Sequence, residues 1–292
     1  MELAEIKIEI SPAAVADADN VLLELGLAGW SVLEDVVAKR AWIVGIFTDQ
    51  SEVQARWLVL QPLLEMAGVA SLTKPVHQVL ADADWKESYK AHFKAWQFGS
   101  LHWVPVWERE TFKLPAGDQV LWLDPGMAFG TGNHETTRLV VERLTKLASE
   151  RGAVGRVIDA GCGSGILALS AAKLGYKEIA AFDNDPVAVE VSKENAEMNG
   201  LVDRVDFFTG DLVTGLAGRQ AELLLANIQA DVLMLFKTEL LNGVAPRGVL
   251  VLSGILAQEL AQVRDVFVAA APECTIDSRV MGEWSDLVLT RS

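Results

Sequence analysis

The stretch Val157-Ile-Asp-Ala-Gly-Cys-Gly-Ser-Gly165 constrains this chain more than any other. An apolar run breaks into alternating glycines, an apolar segment follows from Ile166, and a second short run spans Glu178 to Phe182. That order reads as strand, tight turn, helix and strand. Glycine tolerates positive φ and carries no side chain, so a G-x-G-x-G turn at Gly161, Gly163 and Gly165 lets backbone pass close beneath a ligand. A dinucleotide fingerprint, G-x-G-x-x-G, needs glycine where this chain has Ile166, so a pyrophosphate is not the expected occupant. The second strand runs into Asp183, eighteen residues beyond Gly165. A carboxylate there can accept hydrogen bonds from both hydroxyls of a ribose. Asp159, at the tip of the first strand, adds negative charge where a cationic group could rest.

Together these residues resemble the S-adenosylmethionine site of class I methyltransferases. The fold this implies is α/β: a Rossmann-like seven-stranded sheet with helices on both faces. The rest of the chain continues the alternation. Val187 to Asn199 reads as a helix begun by Pro186, and Val205 to Phe208 as a strand leading to Gly210-Asp211. Ala221 to Asn227 is a further strand, followed by helix 231–241, strand Val249 to Ser253, helix 257–270 and a tight hairpin at Val280 to Trp284. Asn227 suits a turn, but a side-chain amide at that strand tip also lies where a switch-point crevice opens, placed to accept a hydrogen bond from an incoming amine.

The first 80 residues have a different pattern. Ile6, Ile8 and Ile10 alternate with Glu5, Lys7 and Glu9, Ser11-Pro12 opens a helix to about Gly26, and Trp30 to Leu33 with Ala41 to Phe47 reads as a hairpin. Glu52 to Met66 returns to helical spacing. The expectation is a small ferredoxin-like α+β domain over 1–80, a Trp/Lys-rich connector and start of the catalytic domain over 81–123, and the donor-binding methyltransferase domain over 124–292. The connector holds five of the nine tryptophans, Trp85, Trp96, Trp103, Trp107 and Trp122. Its run Asp84 to Lys94 reads as a basic aromatic helix whose rings pack a junction while its lysines reach solvent.

Charge narrows the function. The net charge is −15, and residues 1–80 hold eleven acids against five Lys/Arg. That disfavours a chain built to grip nucleic-acid phosphates and suits a basic partner, or solubility alone. Two cysteines, Cys162 and Cys274, share no metal-ligand spacing and suggest a reducing compartment. No signal peptide or bilayer-length apolar run is apparent, so a cytoplasmic protein with no membrane partner is expected. No heptad seam stands out, which favours a monomer.

The loop Leu123-Asp-Pro-Gly-Met-Ala-Phe-Gly-Thr-Gly-Asn-His-Glu-Thr-Thr137 is more specific. With Asp159 to Gly165, Asp183-Asn-Asp-Pro186, Leu225 to Ile228 and Ser253-Gly-Ile-Leu256, the chain resembles the PrmA family over essentially its whole length. The resemblance implies methylation of the eleventh protein of the large ribosomal subunit, a basic substrate, at lysine or N-terminal amines, with S-adenosylmethionine as donor. The small domain would recognise the substrate, and the connector would allow domain swing. By position, Thr137, Gly161, Asp183 and Asn227 would bind the donor, with Asp159 and Gly163 beside them. Phe129, Gly130 and Thr131 would belong to a loop closing over it, and Asp211 would meet the adenine amino group. Asn227, His134 and Thr131 are the catalytic candidates, with His134 or a water near Asn227 as proton acceptor. Asn133 is a candidate helix cap. Rival readings are a methyltransferase acting on RNA, a small molecule or another protein's lysine, and a non-catalytic nucleoside-binding module.

Overall fold

In the computed structural model, which describes residues 3–24, 29–35, 39–47, 50–80, 94–124 and 134–291, the isoleucine alternation produces β1 (Leu3–Ile10). Ile6, Ile8 and Ile10 are at most 1% exposed, whereas Glu5, Lys7 and Glu9 face partly outward. The chain divides into two compact units, Met1–Phe93 and Lys94–Ser292.

In the smaller unit, β1 is followed by α1 (Val15–Glu24), β2 (Trp30–Asp35), β3 (Arg40–Phe47), α2 (Gln50–Met66) and β4 (Val76–Leu80). The sheet is antiparallel, in the order β2-β3-β1-β4. Ala18 and Leu22 of α1 and Val53, Trp57, Leu60 and Leu64 of α2 cover the buried face of β1. This is the ferredoxin-like arrangement, completed by a strand that sequence patterning does not announce. β4 is short, carries His77 and Gln78, and leaves Val76 60% exposed on the sheet edge. The Ser11 hydroxyl accepts from the Ala13 N–H and opens a 3-10 turn, Pro12–Ala14, that leads into α1.

The larger unit begins with β5 (Trp96–Phe98), β6 (Leu101–Pro105) and β7 (Gln119–Leu123), which form a separate three-stranded sheet. Then come α3 (Glu135–Arg151), β8 (Arg156–Ala160), α4 (Ile166–Leu174), β9 (Glu178–Asp183), α5 (Pro186–Met198), β10 (Asp206–Thr209) and α6 (Leu212–Leu216). β11 (Ala221–Asn227), α7 (Ala230–Leu235), α8 (Lys237–Asn242), β12 (Val244–Leu256), α9 (Leu260–Ala270), β13 (Thr275–Met281) and β14 (Trp284–Thr290) complete it. The main sheet has seven strands in the order β10-β9-β8-β11-β12-β14-β13, parallel up to β12, with β14 antiparallel to both neighbours. Consecutive residues of its central strands enter opposite cores: Val157 and Leu225 join one cluster, Ile158 and Leu224 the other. That is why these strands read as continuous apolar runs.

Two details depart from expectation. The helix expected over 231–241 breaks at Phe236 into α7 and α8. The strand expected over Val249 to Ser253 is thirteen residues long. Residues 94–124 are part of the larger unit's own structure. Trp103 is fully buried there and its indole N–H donates to the Ser170 hydroxyl on α4 at 2.9 Å. Most of the stretch expected as a basic aromatic helix, residues 84–93, lies outside the described residues. Among the described residues, no helix is long and apolar enough to cross a membrane.

A buried ion network ties α3 to the last hairpin. The Arg143 guanidinium donates to both oxygens of Asp286, at 2.8 Å each, and also to Asp277. Arg279 donates to Asp286, to Glu142 and to the Leu139 carbonyl. Asp286 has no solvent exposure. Removing one member of such a set leaves buried charge uncompensated. Asp286→Ala is expected to destabilise the larger unit by about 3–5 kcal/mol, read as a lower calorimetric transition of the full chain. An unchanged transition would show that the network contributes nothing to holding α3.

Candidate active site

The expected glycine turn joins β8 to α4, and its three glycines all take left-handed φ: 73° at Gly161, 53° at Gly163 and 76° at Gly165. The Phe182 carbonyl accepts from the N–H groups of Gly161 and Cys162. Asp183, at the end of β9, accepts from Gly163 N–H at 2.9 Å through one carboxylate oxygen and from Asp185 N–H at 3.0 Å through the other. Each oxygen keeps a further lone pair for a ligand hydroxyl.

The third strand end comes from β11. Asn227 pairs with Ser253 of β12, and its amide donates to the hydroxyl of Thr137, the third residue of α3, at 3.4 Å. That leaves its carbonyl oxygen as an acceptor. The next residue, Ile228, is wedged between two glycines. A Cβ on Gly161 would stand 2.6 Å from the Ile228 side chain, and one on Gly254, at φ 81°, would collide with the Ile228 carbonyl. Ser253-Gly254 in the motif is therefore space for the backbone beside Asn227.

These strand ends open into one cavity of about 1050 Å³. Gly161, Gly163, Asp183, Asp211 and Asn227 line it, with Leu212, Ile228, Val232 and Phe236 as apolar walls and Trp122, Val187 and Met198 along another side. Thr137 is 1% exposed and stands behind Asn227. Asp159 has no exposure and lies beneath the turn. One of its oxygens accepts from Ala168 N–H at 3.0 Å, while the other has no partner among the described residues. Desolvation, reinforced by the Asp183 charge, raises its pKa to about 7 against the opposing Ala168 hydrogen bond. Asp211 caps α6, one oxygen accepting from Val213 N–H, Thr214 N–H and the Thr214 hydroxyl. These bonds hold its pKa below the ordinary carboxylate value and leave its second oxygen for a ligand amine.

His134 is the N-cap of α3, the role expected of Asn133. Its Nδ1 accepts from the Thr136 hydroxyl at 2.8 Å and lies 3.4 Å from Thr136 N–H, and its ring packs edge-on against Trp284, centroids 4.8 Å apart. Asn133, Phe129, Gly130 and Thr131 lie outside the described residues. Among the described residues, no cluster of three His, Cys, Asp or Glu side chains could hold a metal.

Sequence reading passed over the residues that brace this site from α5. Ser192 donates to the Gly163 carbonyl, and the Asn195 amide to the Ser164 carbonyl. Asn199 bonds Trp122 reciprocally, accepting from its N–H at 2.7 Å and donating to its carbonyl at 2.9 Å. The signal was present as polar residues at i, i+3 and i+7 on the inner face of an otherwise ordinary amphipathic helix.

A test follows from the cap. Burial lowers the His134 pKa against an opposing pull from Glu135, and Arg138 adds a smaller lowering effect. Its neutral Nδ1 therefore contributes stability above the unfolded pKa of about 6.5, lost as pH falls through the lower folded value. The Tm of the native chain should drop from pH 7 to 5 more steeply than that of His134→Asn, whose cap does not titrate. Parallel slopes would refute the cap's role.

The family model described as "Ribosomal protein L11 methyltransferase (PrmA)" matches residues 2–292. A ribosomal protein L11 methyltransferase of Geobacter metallireducens is 37% identical over 295 residues, covering 98% of this chain and 92% of the relative. One from Trichlorobacter lovleyi is 42% identical over 226 residues, covering 76% and 72%. Among solved structures, a ribosomal protein L11 methylase from Lactobacillus delbrueckii subsp. bulgaricus superposes with a TM-score of 0.60 at 29% identity, over 68% of this chain and 100% of that one.

Proposed function

The chain belongs to the ribosomal protein L11 methyltransferase family, and from that premise we propose that it transfers methyl groups from S-adenosylmethionine to amines of that ribosomal protein. The observation that carries the reading is the convergence of Gly161, Asp183 and Asn227 on one cavity. The donor-binding residues fit the group: a glycine turn with no Cβ, a carboxylate with free lone pairs and a buried acid oxygen without a partner.

The Asp183 carboxylate would hold the ribose hydroxyls, and its bonds to Gly163 and Asp185 keep it from turning away. The second oxygen of Asp211 would accept from the adenine amino group, and Leu212, Val232 and Phe236 would supply apolar surface to the base. Gly161 and Gly163, which line the cavity, would border the methionyl portion, and Asp159 would supply negative charge to it. The role of Phe129, Gly130 and Thr131, closing over the donor, rests on the resemblance.

When bound, the sulfonium supplies an activated methyl carbon. The protein then has to align and desolvate the amine. A lysine ammonium, with a pKa of about 10.4, must first lose a proton, and burial lowers that value by disfavouring the charged form. The Asn227 carbonyl oxygen accepts from the amine, while Thr137 fixes the orientation of the amide. The Nδ1 of His134 serves the cap, and we take water as the proton acceptor.

We take the smaller unit, with eleven acids against five Lys/Arg in residues 1–80, as the surface that receives a basic substrate. The −15 net charge supports a protein substrate rather than RNA. A monomer in the cytoplasm completes the reading. The test is labelled methyl transfer to ribosomal proteins from cells lacking this enzyme, with bands identified by mass spectrometry. Label on L11 is expected. Label elsewhere would discard the substrate, and none would discard the enzyme. Asn227→Ala should bind the donor within a few-fold of the native chain and lose roughly tenfold to a hundredfold in kcat. Unchanged turnover would remove Asn227 from the amine slot.

A further inference from the structure

Among the described residues, two buried side-chain polar atoms have no hydrogen-bond partner: Arg138 Nε and Asp159 Oδ1. Arg138 has a local explanation, since its guanidinium is bonded to Glu135 and lies over the Trp96 ring. Asp159 has none. It sits on β8 between buried apolar strand residues, two residues before Gly161, which with Gly163 lines the cavity.

Among the described residues, the elements around it provide no cation. β9 presents Asp183, and the turn presents the Cys162 thiol, whose own pKa burial pushes up. α4 presents Ile166, Leu167, Ala168 and Leu169 to the core and carries its first charge at Lys173, in its last turn. β11 presents Leu225, paired opposite Asp159, and then Asn227. Across β11, α3 presents Thr136 and Thr137, while Glu135 and Arg138 are paired with each other. The Ala168 N–H, at the start of α4, is thus the one donor shown to Asp159 among the described residues. A carboxylate in that setting has given up its hydration for a single hydrogen bond, beside a like charge.

We propose that donor binding and the Asp159 proton are linked: when S-adenosylmethionine or its demethylated product enters the cavity, Asp159 releases its proton to water and becomes the counter-ion of the ligand's cationic end. This rests on the donor-binding reading above and goes beyond it, because it gives binding a pH dependence and the ligand-free chain a neutral acid at its centre. The O–H bond of the carboxyl breaks, its electron pair stays on the carboxylate, and the proton passes to bulk buffer. The sign is fixed by burial. A carboxyl whose folded pKa is raised contributes stability below its unfolded value of 3.8, and this is lost as pH rises through about 7. A ligand cation reverses the penalty, so affinity should strengthen up to about tenfold per pH unit below that range and level off above it.

The test uses isothermal titration of the full chain with S-adenosylhomocysteine at pH 7 in phosphate, HEPES and Tris, whose ionisation enthalpies differ. About half a proton should be released per ligand near the folded pKa. The release should disappear in Asp159→Asn, which cannot titrate but keeps an acceptor for Ala168 N–H. Heats that do not vary with buffer in the native chain would overturn the proposal, as would the same release from the variant. Infrared difference spectra of the native chain give a second readout, whatever the variant's folding. Ligand should remove a protonated-carboxyl C=O band, and no loss of that band would also overturn it. No binding of S-adenosylhomocysteine at all would overturn the donor-binding reading itself, a result distinct from binding without proton release.

Discussion

The site depends on how closely the end of β11 can pass its neighbours. Ile228 fits between Gly161 and Gly254 because neither carries a Cβ, and this close fit sets where Asn227 stands relative to the glycine turn. Asp183 then fastens the turn to the end of β9 by accepting from Gly163 N–H. Three strand ends are thereby fixed against one another by side chains seated on glycine backbone, before any ligand contributes. A reaction that needs alignment more than acid–base power is well served by such a frame, because little orientation remains to be fixed during the reaction.

Support for the frame comes from behind, on both sides. Ser192 and Asn195 hold the carbonyls of Gly163 and Ser164 from α5, and Asn199 fastens the same helix to β7 through Trp122. On the other side, the Arg143–Asp286–Arg279 network anchors α3 to the sheet. The start of that helix carries His134 as its cap and Thr137 against Asn227. Polar side chains so placed specify a single arrangement, since a partly broken network costs more than an apolar core would.

Much of this was legible in the sequence, for a definite reason. The parallel strands are buried on both faces, so their apolar runs stop abruptly where the chain turns toward the ligand. Asp159, Gly161, Asp183 and Asn227 mark those stops. What escaped was interaction between distant or unremarkable positions. Arg143 and Asp286 are 143 residues apart and look like surface charges on a helix and a strand. β4 was hidden by its length and by His77 and Gln78, which fit an exposed edge and show no alternation. The cap fell to His134 rather than Asn133 because an imidazole nitrogen can accept a hydrogen bond as an amide oxygen does. Phe236 gives no helix-breaking signal by residue type, so the split between α7 and α8 was not visible either.

If the ends of β8, β9 and β11 hold the methyl donor in one orientation, a crystal structure of the chain with S-adenosylhomocysteine will show it. The ribose hydroxyls are expected on Asp183, the methionyl portion over Gly161 and Gly163, and the sulfur facing Asn227. A ligand bound elsewhere, or one with its ribose turned away from Asp183, would contradict that arrangement.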